Sequence, residues 1–312
     1  MVWWRARSDG TFFIIGLEGQ WSDALGAMLP ALSAGLSAAF ALSIVDAASG
    51  PVAGVVAAIL MVILPGFVPL HRASLTGPPL LTLTVVTLAV MLYAPRFSLA
   101  YGTLAAVAAV YVSPAGLGLP VAAVAWALLS GAKTSRYPLR RGALAAVPLL
   151  LLLALAHWTG HGWPLHRELA WQGGLDRGFR AAGAIIGDQL APGIHNPALR
   201  WFAIADISLL LLAVVVVAWR RVARVRPEGT LLRRLYPGAG ILSLAWAAGL
   251  AGQTLLLPGA SEPGLAAVFP LVVVATLVIT ASVGVLWLQW HRAAKLITLL
   301  LVAGWAQAAI RG

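Results

Sequence analysis

The chain of 312 residues contains no cysteine, and only 10% of its residues are charged. Without cysteine there is no disulfide framework, no thiolate metal site and no cysteine nucleophile. So little charge, set against an apolar fraction of 61%, is incompatible with the water-facing surface of an ordinary soluble domain. Acids are the scarcer sign, ten against 21 lysines and arginines, and the formal charge is +11. Familiar chemical motifs are missing too: there is no glycine-rich nucleotide cradle, no histidine pair in metalloprotease spacing and no nucleophile elbow. The first 24 residues hold Arg5, Arg7, Asp9, Glu18 and Asp23 and lack the continuous apolar core of a cleavable signal peptide. Insertion is therefore expected to begin with the first helix.

What the chain does have is a series of apolar stretches separated by short linkers. They predict an all-α fold, a polytopic transmembrane helix bundle of about ten spans, since a helix of roughly 20 apolar residues crosses a bilayer. The spans are expected at 25–45, 52–70, 79–94, 97–113, 116–131, 143–158, 201–219, 238–257, 265–290 and 295–310. Several are shorter than a perpendicular crossing needs, so their ends slip into neighbouring linkers or the bilayer thins locally. The 32 glycines fall mostly within spans, where small residues let helices approach closely.

Linker charge sets the orientation. Lys133, Arg136, Arg140 and Arg141 share one linker, Arg220, Arg221, Arg224, Arg226, Arg233 and Arg234 a second, and Arg292 and Lys295 a third, with two spans between successive linkers. Basic linkers are retained on the cytoplasmic side, so these three are expected inside together with 46–51 and 94–96. Segments 71–78, 114–115 and 159–200 then lie outside, and so does the N-terminal stretch, despite Arg5 and Arg7. The positive charge reads as topological retention beside anionic headgroups, and no nucleic-acid partner is expected.

The one long extramembrane segment is 159–200. Its Leu165, Leu169, Leu175, Phe179, Ile186 and Leu190 recur at intervals that predict an interfacial amphipathic helix, interrupted at Gly173 and Gly174. Trp158, Trp163, Trp171 and Trp201 would sit at headgroup depth, where indole rings favour one wet and one apolar side. The segment is either a lid over a lipid-facing cavity or a solvated connector. His157 and His161 are four apart, a spacing that could offer two imidazoles to a metal, but Gly160, Gly162 and Pro164 oppose a helix there. Interfacial hydrogen bonding is the commoner use of such histidines, and no metal site is expected. Asp206 falls about one and a half turns into its span, where an ionised carboxylate costs at least ~2.5 kcal/mol. It should pair with Arg200 or a loop arginine, or face a polar cavity. Asp46, at a cytoplasmic helix end, is easily solvated.

Two stretches carry a family resemblance. LPALSAGLSAAFALSIVDAASGPVAGVVAAILMVILPGFVPLHRASLTGPPLL, from Leu29 to Leu81, resembles the second to fourth membrane segments of the GT-C class of glycosyltransferases, which includes protein O-mannosyltransferases and lipid A aminoarabinose transferases. Ser49, Gly50, Pro65, His71, Arg72, Gly77 and Pro78 fall in the order of that class: a short turn, a small-residue helix closed by proline, then an outward loop. YGTLAAVAAVYVSPAGLGLPVAAVAWALL, from Tyr101 to Leu129, looks like the paired short helices of the class, with Ser113 and Pro114 where a basic residue is usual. Gly162, Trp163 and Pro164 resemble the start of its next outward loop. The likeness covers roughly 25–165 and rests on serial order; the first helix and the paired acids of the class have no counterpart here.

The resemblance implies transfer of a sugar from a polyprenyl-phosphate donor to an acceptor on the outer face. Asp9 or Glu18 would then be the general base, since a carboxylate must deprotonate or orient the acceptor. His71, Arg72, Arg167, Arg177 and Arg180 would meet the donor phosphate, which needs cations as it departs. No cofactor is required, although a divalent cation is compatible with the chemistry. Two alternatives stay open: a non-catalytic scaffold of GT-C descent that binds a lipid or a membrane-protein partner, and a transporter of lipid or small solute. The chain reads as one integral domain, 1–312, with GT-C-like helices over 25–158, an outer lid over 159–200 and further helices over 201–310. A bacterial inner membrane is the expected location.

Overall fold

The computed structural model describes residues 4–6, 12–14, 20–64, 66–73, 77–134, 137–158, 183–188, 196–225, 231–256 and 265–287. Apart from a three-residue antiparallel strand pair, Trp4–Ala6 with Phe12–Ile14, the regular elements among them are helical. They are α1 (Gln20–Ser49), α2 (Pro51–Ile63), α3 (Phe67–Ala73), α4 (Gly77–Tyr93), α5 (Ser98–Val107), α6 (Gly118–Thr134) and α7 (Pro138–Trp158). A short helix over 183–188, α8, precedes α9 (Pro197–Val225), α10 (Leu231–Leu256) and α11 (Leu265–Trp287).

Four helices are long and apolar enough to cross a membrane, over Met28–Ser49, Pro138–Leu155, Trp201–Arg224 and Ala267–Trp287. Four more apolar helices, Pro51–Ile63, Gly77–Tyr93, Ser98–Val110 and Ala115–Ser130, are shorter. The fold is thus a membrane-type helical bundle. Its long apolar helices are fewer than the ten spans expected: four of the others are shorter, α10 is 26 residues long but is not among those apolar enough to cross, and 295–310 lies outside the described residues.

Local chemistry explains the breaks. Gly50 adopts φ 104°, a conformation open to glycine, and Pro51 then starts α2, whose missing N–H would have no partner in a first turn. The stretch 52–70, expected as one span, divides at Leu64, whose ψ of 132° is the extended backbone imposed by the following proline. Likewise α5 does not run straight to 113. It passes into a π turn at Ala108–Val112, and Ser113, again before a proline, is extended at φ −160° and ψ 138°. The Ser113 hydroxyl accepts from the Ala115 N–H at 3.3 Å and caps a 3-10 turn, Pro114–Leu117, that leads into α6.

Small residues set the crossings. A methyl group on Gly54 would meet the Leu42 carbonyl oxygen at 2.8 Å, which fixes α2 against α1, and one on Gly118 would meet the Ala245 carbonyl oxygen at 2.6 Å, which fixes α6 against α10. The core is one cluster drawing on α1 to α7 and α9 to α11, with Tyr101, Trp246 and Phe269 fully buried in it. Ile186 of α8 packs against this core, so the described part of the expected amphipathic helix is helical and turns an apolar side chain inward.

One end of the bundle collects the basic linkers. Arg141 donates to the Pro95 carbonyl, Arg234 to that of Leu92 at 3.2 Å and Arg233 to that of Ala223 at 2.6 Å. Tyr93 donates to Ser43 O at 2.6 Å, and Ser49 to Ala281 O at 2.7 Å. These bonds bring the ends of α1, α4, α9 and α11 and the starts of α2, α5, α7 and α10 to a common level. The described parts of the expected inner linkers, 46–50, 94–96, 137–141, 220–225 and 231–234, lie at this end, and Arg292 and Lys295 lie outside the described residues.

Candidate functional site

At the opposite end the shorter helices stop early. With a rise of about 1.5 Å per residue, the 13 residues of α2 span roughly 20 Å and the 17 of α4 roughly 26 Å, against a hydrocarbon core of about 30 Å. Ser98–Val112, α5 with its π turn, comes to roughly 22 Å. All three share the arginine-rich end with α1, whose 30 residues run to roughly 45 Å. Their far ends, α3 and the 108–118 turn, are therefore inset between longer neighbours. The turn is buried rather than looped out: Ala108, Ala109, Ala115, Gly116 and Gly118 are all shielded, and a methyl on Gly116 would meet Leu80 of α4 at 3.1 Å. Irregular backbone at membrane depth survives only when packed in protein or lining a cavity.

His71 stands on α3 at this inset. Its Nδ1 lies 2.7 Å from the Phe67 carbonyl oxygen one turn earlier, and its ring rests on Phe67 with centroids 4.2 Å apart. Phe67 in turn meets Phe269 of α11 at 6.4 Å. Since a carbonyl only accepts, Nδ1 carries the proton, and Nε2, shielded from solvent, has no hydrogen-bond partner among the described residues. Arg72 follows on the same helix, and its side chain lies outside the described residues. The region 71–78, expected as a loop, is thus partly helical.

Beside it runs a polar seam that sequence reasoning missed. Ser37 and Thr82 hydroxyls are 2.9 Å apart, and Thr82 also reaches the carbonyls of Ser33 and Pro78, each at 3.0 Å. Ser33 and Ser37, four apart in α1, were the available signal, because that spacing places two hydroxyls on one helical face.

The other expected site residues are not drawn together by anything described. Asp9, Glu18, Arg167, Arg177 and Arg180 lie outside the described residues, as do His161 and His166. Asp206 is exposed on α9. Among the described residues no group of three His, Asp or Glu could hold a metal ion. No protein-family model, curated protein or solved structure matches this chain.

Proposed function

We propose that this protein is a membrane glycosyltransferase of GT-C type that takes a polyprenyl-phosphate sugar at the inset end and transfers the sugar to an acceptor on that side. The observation that carries the reading is the pair of inset ends, α3 with His71 and Arg72, and the 108–118 turn, beneath longer neighbours. An amphiphilic donor needs an apolar approach for its chain and a polar, water-poor floor for its phosphate, and inset helix ends supply both. Arg72, with Arg167, Arg177 and Arg180, would stabilise the leaving phosphate, and Asp9 or Glu18 would take the acceptor proton. In this reading the bundle has about ten spans, the arginine-rich end faces the cytoplasm of a bacterial inner membrane, and 159–200 covers the site.

The test is reconstitution of the full chain in proteoliposomes with a panel of polyprenyl-phosphate sugars and a bacterial membrane extract of lipids and proteins as acceptors, reading release of free polyprenyl phosphate. Transfer by the native chain, lowered by about 10²-fold or more in Arg72→Ala with helical content unchanged, supports the assignment. Asp9→Asn and Glu18→Gln separate the two candidate bases. No release with any donor of the panel overturns the reading.

A second reading, a non-catalytic subunit, draws on α9. Leu209, Leu210, Leu212 and Val217 are all more than half exposed on the helix that carries exposed Asp206. A carboxylate among lipid-facing side chains favours a partner helix that supplies a cation. Recovery of a stoichiometric membrane partner that Asp206→Ala releases would support it, and a native chain that remains monomeric would refute it.

A further inference from the structure

We infer that the arginine-rich end holds a binding site for the phosphate of an anionic phospholipid, formed where α5 and α7 begin side by side and lined by Arg96 and Arg140. The two helices run in the same direction. Arg141, in the first turn of α7, donates to the Pro95 carbonyl just ahead of α5, and further along both helices a methyl on Gly102 would strike the Ala145 backbone, with Cα at 2.9 Å. Both helix starts therefore face the same end, and their partial positive charges reinforce one another. The N-cap of α5, Phe97, makes no side-chain capping bond.

Charge and burial around these starts point to an anion. Arg96, in the turn before α5, and Arg140, in the first turn of α7, are exposed, while Arg141 is half-buried. Beneath lies Tyr101, fully buried in the first turn of α5, whose hydroxyl has no hydrogen-bond partner among the described residues and feels the charge of Arg141. Helical side chains lean toward the N-terminus, which directs that hydroxyl toward the same end. Among the described residues α4, α5, α6 and α7 carry no acid to compete.

The surroundings select a lipid over a free ion. Phe97, Leu99 and Leu139 are 67%, 52% and 79% exposed immediately beside the two arginines. A headgroup phosphate would sit between the guanidiniums while its acyl chains cover these side chains, an arrangement available at a membrane interface and not to inorganic phosphate. The site lies at the opposite end from the proposed donor site and does not depend on that reading.

The experiment uses the full chain in mild detergent, stripped of lipid and offered equal amounts of phosphatidylglycerol and phosphatidylcholine, with retained lipid counted by native mass spectrometry. The native chain should prefer phosphatidylglycerol by about tenfold or more, and Arg96→Gln with Arg140→Gln should bring the two lipids near parity. Arg220→Gln with Arg224→Gln, exposed at the same end but away from this junction, should leave the preference in place, and Tyr101→Phe should weaken it severalfold with helical content unchanged. Equal retention by the native chain, or an unaltered preference in the Arg96/Arg140 variant, would overturn the site. Displacement of the lipid by an equal concentration of inorganic phosphate would overturn its assignment to a lipid.

Discussion

Arg234, in the first turn of α10, donates from Nη1 to the carbonyl oxygen of Leu92, in the last turn of α4, at 3.2 Å. The bond joins residues 142 apart in sequence and places a cation on the negative end of the α4 dipole. Trp126 of α6 donates to Met91 O at 2.9 Å, and Arg141 of α7 to Pro95 O. Two other helices thus satisfy carbonyls in the last turn of α4, groups that no helix can satisfy for itself, and a third ties down the turn that follows it.

Arg234→Ala should lower stability by about 1.5–3 kcal/mol, the range for a hydrogen bond to a charged group. Thermal melts in detergent with circular dichroism read the loss. Arg234→Lys should recover part of it, since charge returns without the planar fork. An unchanged midpoint in the alanine variant would show that this junction does not stabilise the bundle.

Trp246 is fully buried in α10 and its Nε1 donates to Ala267 O of α11 at 2.7 Å. Trp246→Phe keeps most of the ring and should cost about 1 kcal/mol. Trp246→Ala leaves a cavity and should cost about 3–5 kcal/mol. Equal losses in the two variants would assign the effect to the hydrogen bond instead of to packing.

Two glycines should respond with opposite sign. Gly35, exposed in α1, has open space around it, and Gly35→Ala should stabilise by up to about 1 kcal/mol through helix propensity. Gly118→Ala must push α6 off the α10 backbone, where Trp246 N lies 2.8 Å from the added carbon, and should cost about 1–3 kcal/mol. Denaturation midpoints of the pair give the answer, and a neutral Gly118→Ala would mean that the crossing is loose.

The absence of cysteine makes labelling clean. Single cysteines at the exposed positions Arg96, Arg224, Trp158 and Asn196 should divide by end. In intact bacterial cells or spheroplasts a membrane-impermeant maleimide should react at 158 and 196, and at 96 and 224 only after lysis. Reaction of all four from one side would refute a spanning bundle.

Much of this was readable from local rules. Leu64 and Ser113 are extended ahead of a proline, and Gly50 turns because its φ needs glycine, so the break at 50 could be placed from residue type alone, whereas those near 65 and 113 could not, since Pro30, Pro148, Pro237 and Pro270 stand inside helices. The inset of α3 and of the 108–118 turn could not, because it depends on which helices flank them and how far those neighbours extend. The candidate site divides similarly. The Nδ1 bond of His71 reaches one turn back along its own helix, whereas the Phe67–Phe269 contact joins α3 to a residue 202 positions later.

Membrane residence, helical class and the sorting of arginine to alternate linkers follow from composition and spacing, because hydrocarbon penalises unpaired polar groups whatever their neighbours. The roles of individual arginines do not. Arg141 and Arg234 hold helix ends while Arg96 and Arg140 remain exposed, although all four are the same residue in similar basic linkers. Their division depends on which carbonyls packing brings within a guanidinium's reach, and that is a property of the assembled bundle.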